Sequence, residues 1–156
     1  MSYTYDYPRP AVTVDCLIFR KKPELQILLI QRKNDPFKDS WALPGGFVEM
    51  DEDLIDAAHR ELEEETGLKN IELFQLQTFG KPGRDPRGRT ISVVFWGTHY
   101  EQAEVEAGDD AKNAAWFDIS HLPELAFDHN YILNVAFQKI PDLKKLNVNL
   151  PTDYIL

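Results

Sequence analysis

The stretch GFVEMDEDLIDAAHRELEEETGL, Gly46 to Leu68, decides how this chain reads. Its apolar residues recur at helical spacing, and Gly67 stands where a helix would stop, so the pattern predicts a helix from Glu52 to about Thr66. At about 100° of turn per residue, Leu54, Ile55, Ala58 and Leu62 line one stripe. Asp53, Asp56 and Glu63 fall away from that stripe and read as a solvated face. Glu61 and Glu65 fall in the sector of Leu54 and Ala58, where a charge is costly. Glu64 borders them. These three carboxylates share an arc of about 100° at positions i, i+3 and i+4, where like charges cost about 0.2–0.5 kcal/mol per pair. A helix arranged only for stability would not place them so. A hard divalent cation resolves both penalties, because Mg²⁺ takes oxygen ligands and is shared between carboxylates and substrate phosphates.

Working outward, Pro44-Gly45-Gly46 breaks the chain and allows a backbone without side chains to approach a metal or a phosphate. Before it, Ala11–Phe19 alternates, with Val12, Val14, Cys16 and Ile18 on one face, and reads as a strand. A turn over Lys21–Glu24 leads to a second strand, Leu25–Ile30, which predicts a hairpin. Trp41–Leu43 is a short apolar piece. After the helix, Ile71–Phe79 and Thr90–Gly97 read as strands around the loop Gly80–Arg89, and Asn113–Ile119 as a short strand. Asp128 reads as the N-cap of a second helix, His129–Lys139, with Ile132, Val135, Ala136 and Ile140 on its apolar stripe. Strands before, between and after two helices make an α+β fold in one domain spanning 1–156.

Composition narrows the function. The formal net charge of −9 disfavours a general grip on the nucleic-acid backbone, which wants a basic stripe. An anionic substrate must then be met by local cations or by a metal. No apolar run approaches the about 20 residues of a membrane span, so no membrane partner is expected. The lone Cys16 excludes an internal disulfide, fits a reducing cytoplasm and reads as a small core residue. Local cations do occur. The loop Lys81–Arg89 carries Lys81, Arg84, Arg87 and Arg89 within nine residues, shaped by proline and glycine. Arginine matches phosphate oxygens in a bidentate way, so Arg84, Arg87 and Arg89 are read as substrate-binding, with Arg32 at the end of the second strand as a further candidate.

In order, the opening stretch gives Gly46, five residues, Glu52, seven residues, then Arg60-Glu61-Leu62, Glu64-Glu65 and Gly67-Leu68. This resembles the Nudix box, G-x5-E-x7-R-E-U-x-E-E-x-G-U with U aliphatic, at every specified position. The resemblance implies the Nudix fold, a mixed β-sheet sandwiched between helices. It also implies Mg²⁺- or Mn²⁺-dependent hydrolysis of a nucleoside diphosphate linked to another moiety. Carried over, Glu61, Glu64, Glu65 and the Gly45 carbonyl look like metal ligands, Arg60 like the residue that orients the glutamates, and Glu52 like a supporting carboxylate. In this family the base that activates water comes from the box or from a later acidic loop. Here that loop is Glu101–Asp110, and Asp110 is taken as the catalytic base.

Thr78-Phe79-Gly80, Asp85-Pro86-Arg87-Gly88-Arg89, Ala107-Gly108-Asp109-Asp110-Ala111 and Ala126-Phe127-Asp128-His129 are similar to the ADP-ribose pyrophosphatase branch. That branch implies ADP-ribose as a small-molecule substrate, AMP and ribose 5-phosphate as products, and a homodimer. Two alternatives stand beside it: a pyrophosphohydrolase of (oxidised) nucleoside triphosphates or other nucleotide sugars, and a non-catalytic ADP-ribose sensor. Related regulators of NAD metabolism carry a DNA-binding domain after the Nudix domain. This chain stops at Leu156, so no nucleic-acid partner is expected.

Overall fold

The computed structural model describes residues 2–100, 111–141 and 143. Seven strands form one mixed sheet: β1 (Ala11–Lys21), β2 (Leu25–Arg32), β3 (Trp41–Ala42), β4 (Gly45–Phe47), β5 (Phe74–Phe79), β6 (Thr90–Thr98) and β7 (Ala111–Asp118). Among the described residues, α1 (Leu54–Thr66), α2 (His129–Lys139) and a 3₁₀ turn at Ile119–His121 accompany them. β6 runs parallel to β1 from Ala11 to Phe19; the other strand pairings are antiparallel.

A strand has only two edges, and this explains how the sheet opens. β6 takes one edge of β1, so β2 (at Phe19–Lys21) and β4 (at Thr13–Asp15) must share the other. β7 likewise takes one edge of β2, and β1 and β3 divide the remaining one. The hairpin of β1 and β2 therefore splays beyond its turn, and β3 and β4 enter the gap. The predicted break at Pro44-Gly45-Gly46 is corrected here, because Gly45–Phe47 is a strand laid against β1. It reads as a break in sequence because glycine is depleted from strands. Glycine is required because a Cβ at Gly45 would collide with the Val14 carbonyl.

The alternation of β1 feeds two cores. Val14, Cys16 and Ile18 pack with Ala57, Ala58 and Leu62 of α1. Leu17 and Phe19 pack with Ile132, Leu133, Ala136 and Phe137 of α2. The sheet is thus covered by a helix on each face, as expected of this α+β fold.

Helix α1 begins two residues later than predicted. Asp53 has extended geometry and accepts the N–H of Leu54 as the N-cap, which leaves Glu52 outside the helix. Gly67 closes it in the left-handed conformation at φ 76°, donating to the Glu63 carbonyl. Helix α2 has its predicted bounds, but Asp128 makes no side-chain cap, being drawn to Arg84 instead. β5 starts at Phe74 and not Ile71, because residues 71–73 pass over Gly97 of β6 without pairing to it. A Cβ on Gly97 would stand 2.5 Å from the Glu72 carbonyl. Gly97→Ala should therefore destabilise the fold by about 1–3 kcal/mol, the usual cost of overpacking. Urea unfolding measures this, and a midpoint equal to wild type would contradict it.

Candidate active site

An open cleft of about 550 Å³ lies where β4 and α1 meet the loop between β5 and β6. Glu61, Glu64 and Glu65 of α1 face it, as do Gly45, Gly46, Arg32, Arg84 and Arg87. Glu61 and Glu65 are 8% and 4% exposed, in line with their place in the apolar sector of the helix, while Glu64 stands out in solvent. Asp56 and Glu63 are exposed, and Glu63 pairs with Lys69.

Arg60 organises these acids. Its Nε and Nη2 donate to the two oxygens of Glu52 at 3.0 and 2.6 Å. Nη1 donates to Glu61 at 2.8 Å and to Glu64 at 3.3 Å. Nη2 also reaches the Phe47 carbonyl at 3.1 Å. One rigid fork thereby ties the loop before the helix, β4 and two box glutamates together. The hydrogen bond to Glu52 is the largest cause that pushes the Arg60 pKa up. The same bond, helped by the Glu49 amide, brings the Glu52 carboxyl down to about 2. What this ionised pair adds to stability is present above the ordinary carboxylate range and is lost as pH falls toward about 2.

The two glycines act through close approach. A Cβ on Gly46 would lie 2.5 Å from the Glu61 carboxylate. The ladder sets the direction of Gly45. Cys16 donates to the Pro44 carbonyl and Val48 to the Val12 carbonyl, so hydrogen-bonded pairs fall at even-numbered residues of β4. Gly45 sits at a non-bonded position, its N–H and C=O both turned from β1, and the N–H meets Glu65 Oε1 at 3.3 Å. The Gly45 carbonyl therefore points along the same edge as the Glu65 carboxylate.

The cationic wall is less uniform than its sequence. Arg87 is held by Asp85, at 2.7 Å from Nη2 to Oδ2, and lies over the rings of Phe47 (4.8 Å) and Phe127 (5.3 Å). Burial raises the Asp85 pKa, but the hydrogen bonds from Arg87 outweigh it and the carboxyl stays low. Arg32 also lies over Phe127, at 4.9 Å, and donates to the Pro36 carbonyl. Burial, then the nearby Arg87 charge, lowers its pKa. Arg84 is almost fully buried and gives Nε and Nη2 to Asp128, so it builds the wall behind the other two. Arg89 is exposed and is not among the residues that line the cleft. Clustering in sequence does not survive a loop that turns its cations in different directions. Asp110 and the loop Glu101–Asp110 lie outside the described residues.

Sequence reasoning missed Asp15. It is buried on the α2 face of β1, accepts a hydrogen bond from Ser92, and faces His129 Nε2 at 3.6 Å. A lone carboxylate inside the alternating strand Ala11–Phe19 was the available signal. Phe127 was also missed; it holds φ 53°, a strained setting for a phenylalanine.

The donor set suits a hard divalent ion. It consists of carboxylate oxygens, two of them buried, beside a carbonyl turned toward the same edge and a glycine that leaves the space before Glu61 unfilled. Among the described residues no three acidic, imidazole or thiol groups are already closed around one point. Substrate phosphate oxygens would complete such a shell.

Carboxylates on a helix edge opposite a cationic wall define a phosphoanhydride hydrolase that works with a divalent metal. The family model described as NUDIX domain matches residues 9–135, and the chain belongs to that family of hydrolases. It is 50% identical over 127 residues to an ADP-ribose pyrophosphatase of Methanocaldococcus jannaschii, covering 81% of this chain and 73% of that protein. It is 40% identical over 140 residues to the ADPR responsive transcriptional repressor NtrR of Acinetobacter baylyi, covering 86% of this chain but 56% of the repressor. Among solved structures, the NUDIX domain of Shewanella oneidensis NrtR complexed with ADP ribose aligns with a TM-score of 0.80 at 32% identity, covering 87% and 94% of the two chains.

One pH effect follows from the buried imidazole. Burial pushes the His129 pKa down, so the unfolded chain takes up a proton that the folded chain refuses. Stability should fall as pH drops below the unfolded value of about 6.5. Thermal unfolding between pH 7 and 5.5 tests this: His129→Asn should flatten the slope, and an unchanged slope would contradict the assignment.

Proposed function

We propose that this protein hydrolyses the diphosphate linkage of ADP-ribose, yielding AMP and ribose 5-phosphate, with Mg²⁺ or Mn²⁺ held by Glu61, Glu64, Glu65 and the Gly45 carbonyl. The observation that carries this reading is the pairing, within one cleft, of the glutamate edge of α1 with Arg32 and Arg87. A diphosphate brings about two negative charges to a protein of net charge −9, so it needs both a metal and local guanidinium groups. The ADP-ribose named in the relatives supports this choice of substrate.

A divalent ion held by Glu61, Glu64, Glu65 and the Gly45 carbonyl would lower the pKa of a water and would spread the charge of the leaving phosphate. The protein's own groups do the rest. Arg60 bridges Glu61 and Glu64 through Nη1, and Glu52 fixes Arg60. Arg32 and Arg87 hold the phosphate oxygens, with Arg84 and Asp128 bracing the wall. Phe47, exposed at the cleft, offers a ring for a base. Asp110 takes the proton of the attacking water. The reading includes a homodimer in the cytoplasm. No helix among the described residues is long and apolar enough to cross a membrane.

The test is a panel of ADP-ribose, other nucleotide sugars, dinucleotides and nucleoside triphosphates with Mg²⁺, with products resolved chromatographically. AMP and ribose 5-phosphate from ADP-ribose are expected; turnover confined to triphosphates would contradict the substrate. Glu65→Gln should lower kcat by about 100-fold or more, since a metal supplies several kcal/mol at the transition state. A rate equal to wild type would defeat the ligand assignment. Binding of ADP-ribose without hydrolysis under any divalent ion would favour a sensor.

A further inference from the structure

Helix α2 reaches the cleft through one contact that the reaction scheme does not use. Residues 125–129 lie alongside 41–43: Trp41 and Leu125 form a parallel bridge, and the Ala126 N–H donates to the Trp41 carbonyl at 2.8 Å. Continued by its own rule, this ladder would next send the Leu43 N–H to the Ala126 carbonyl. That carbonyl is already taken by the N–H of His129, at 3.2 Å, as the chain turns into the helix. The imidazole supplies the missing acceptor, its Nδ1 receiving the Leu43 N–H at 3.0 Å.

Since Nδ1 accepts, a neutral ring carries its hydrogen on Nε2. Nε2 faces Asp15, whose other oxygen accepts from Ser92. Leu43 on the strand connection, His129 on α2, Asp15 on β1 and Ser92 on β6 lie in one buried row, hydrogen-bonded at its two ends and with 3.6 Å between His129 Nε2 and Asp15. The segment it anchors is short and pinned at every residue: Leu43 N–H by His129, the Pro44 carbonyl by Cys16, and the Gly45 N–H by Glu65.

We propose that His129 is a positioning residue that fixes the Leu43–Gly45 segment, and through it the Gly45 carbonyl beside Glu65. This rests on the metal assignment given above. His129 acts by holding two peptide planes against the thermal freedom of a turn. Losing the acceptor leaves a buried N–H unpaired and loosens the segment locally.

Two substitutions separate the ends of the ring. His129→Asn places an amide oxygen near the Nδ1 position and keeps the Leu43 bond while giving up Nε2. His129→Gln places its amide near Nε2, keeps the link to Asp15 and gives up the Leu43 bond. Amide exchange of Leu43 in cation-free protein and Mn²⁺ affinity, from the EPR signal of free Mn²⁺, are read on both. His129→Asn should keep Leu43 protection and hold the Mn²⁺ Kd within about 2-fold of wild type. His129→Gln should lose about 10-fold in Leu43 protection and weaken Mn²⁺ by about 5-fold. His129→Leu, which fills the space without an acceptor, should follow Gln and serves if Gln does not fold. Equal behaviour of Asn and the acceptor-less variants, with wild-type Mn²⁺ binding intact, overturns the role of His129 alone. Wild-type protein that binds no Mn²⁺ overturns the metal reading itself.

Discussion

Mutual repulsion among the carboxylates on one edge of α1 is the constraint that the rest of this molecule accommodates. Two unit charges about 6 Å apart at an effective dielectric of about 20 repel by about 3 kcal/mol, several times the cost of a like-charge pair on an exposed helix. Glu61 and Glu65 are nearly buried, so they belong to the costly regime. Arg60 answers from within the helix by spreading its fork over Glu52, Glu61 and Glu64. Gly46 answers from the sheet by offering no Cβ to the Glu61 carboxylate. The splayed hairpin of β1 and β2 exists, on this view, to admit the two-glycine strand that comes this close.

The consequence for chemistry is preorganisation. Side chains on α1 and a carbonyl on β4 are each fixed by regular structure and not by mobile loops, which keeps oxygen donors near the geometry a small cation demands. The cationic wall is held differently. Arg87 and Arg32 keep partners of their own, Asp85 and a carbonyl, and lie over aromatic faces. Arg87 stays partly exposed beside the cleft while bonded to Asp85, whereas the Arg84 side chain is buried against Asp128 and braces the wall.

Much of this was legible in the chain, and the limits have physical reasons. The bounds of α2, the C-terminal stop at Gly67 and the division of α1 into buried and solvated acids follow from local periodicity and capping. The strand at Gly45–Phe47 was not legible, because its ladder partner on β1 is thirty residues away and its composition argues for a turn. Asp128 was read as a cap because it precedes a helix, yet a distant guanidinium outcompetes the local N–H. Arg89 was grouped with Arg84 and Arg87 by proximity in sequence, which says nothing about which way a loop faces. The Leu43–His129 contact spans 86 residues and repairs a backbone ladder, a role that side-chain patterns cannot announce.

The central claim is that one edge, made of Glu61, Glu64, Glu65 and the Gly45 carbonyl, holds the divalent ion. The most direct measurement is the anomalous difference map of a crystal soaked in Mn²⁺. The account predicts a peak within about 2.0–2.4 Å of oxygen atoms from that edge, with Arg60 still bonded to Glu52. A peak that avoids the Gly45 carbonyl and the three glutamates would contradict it.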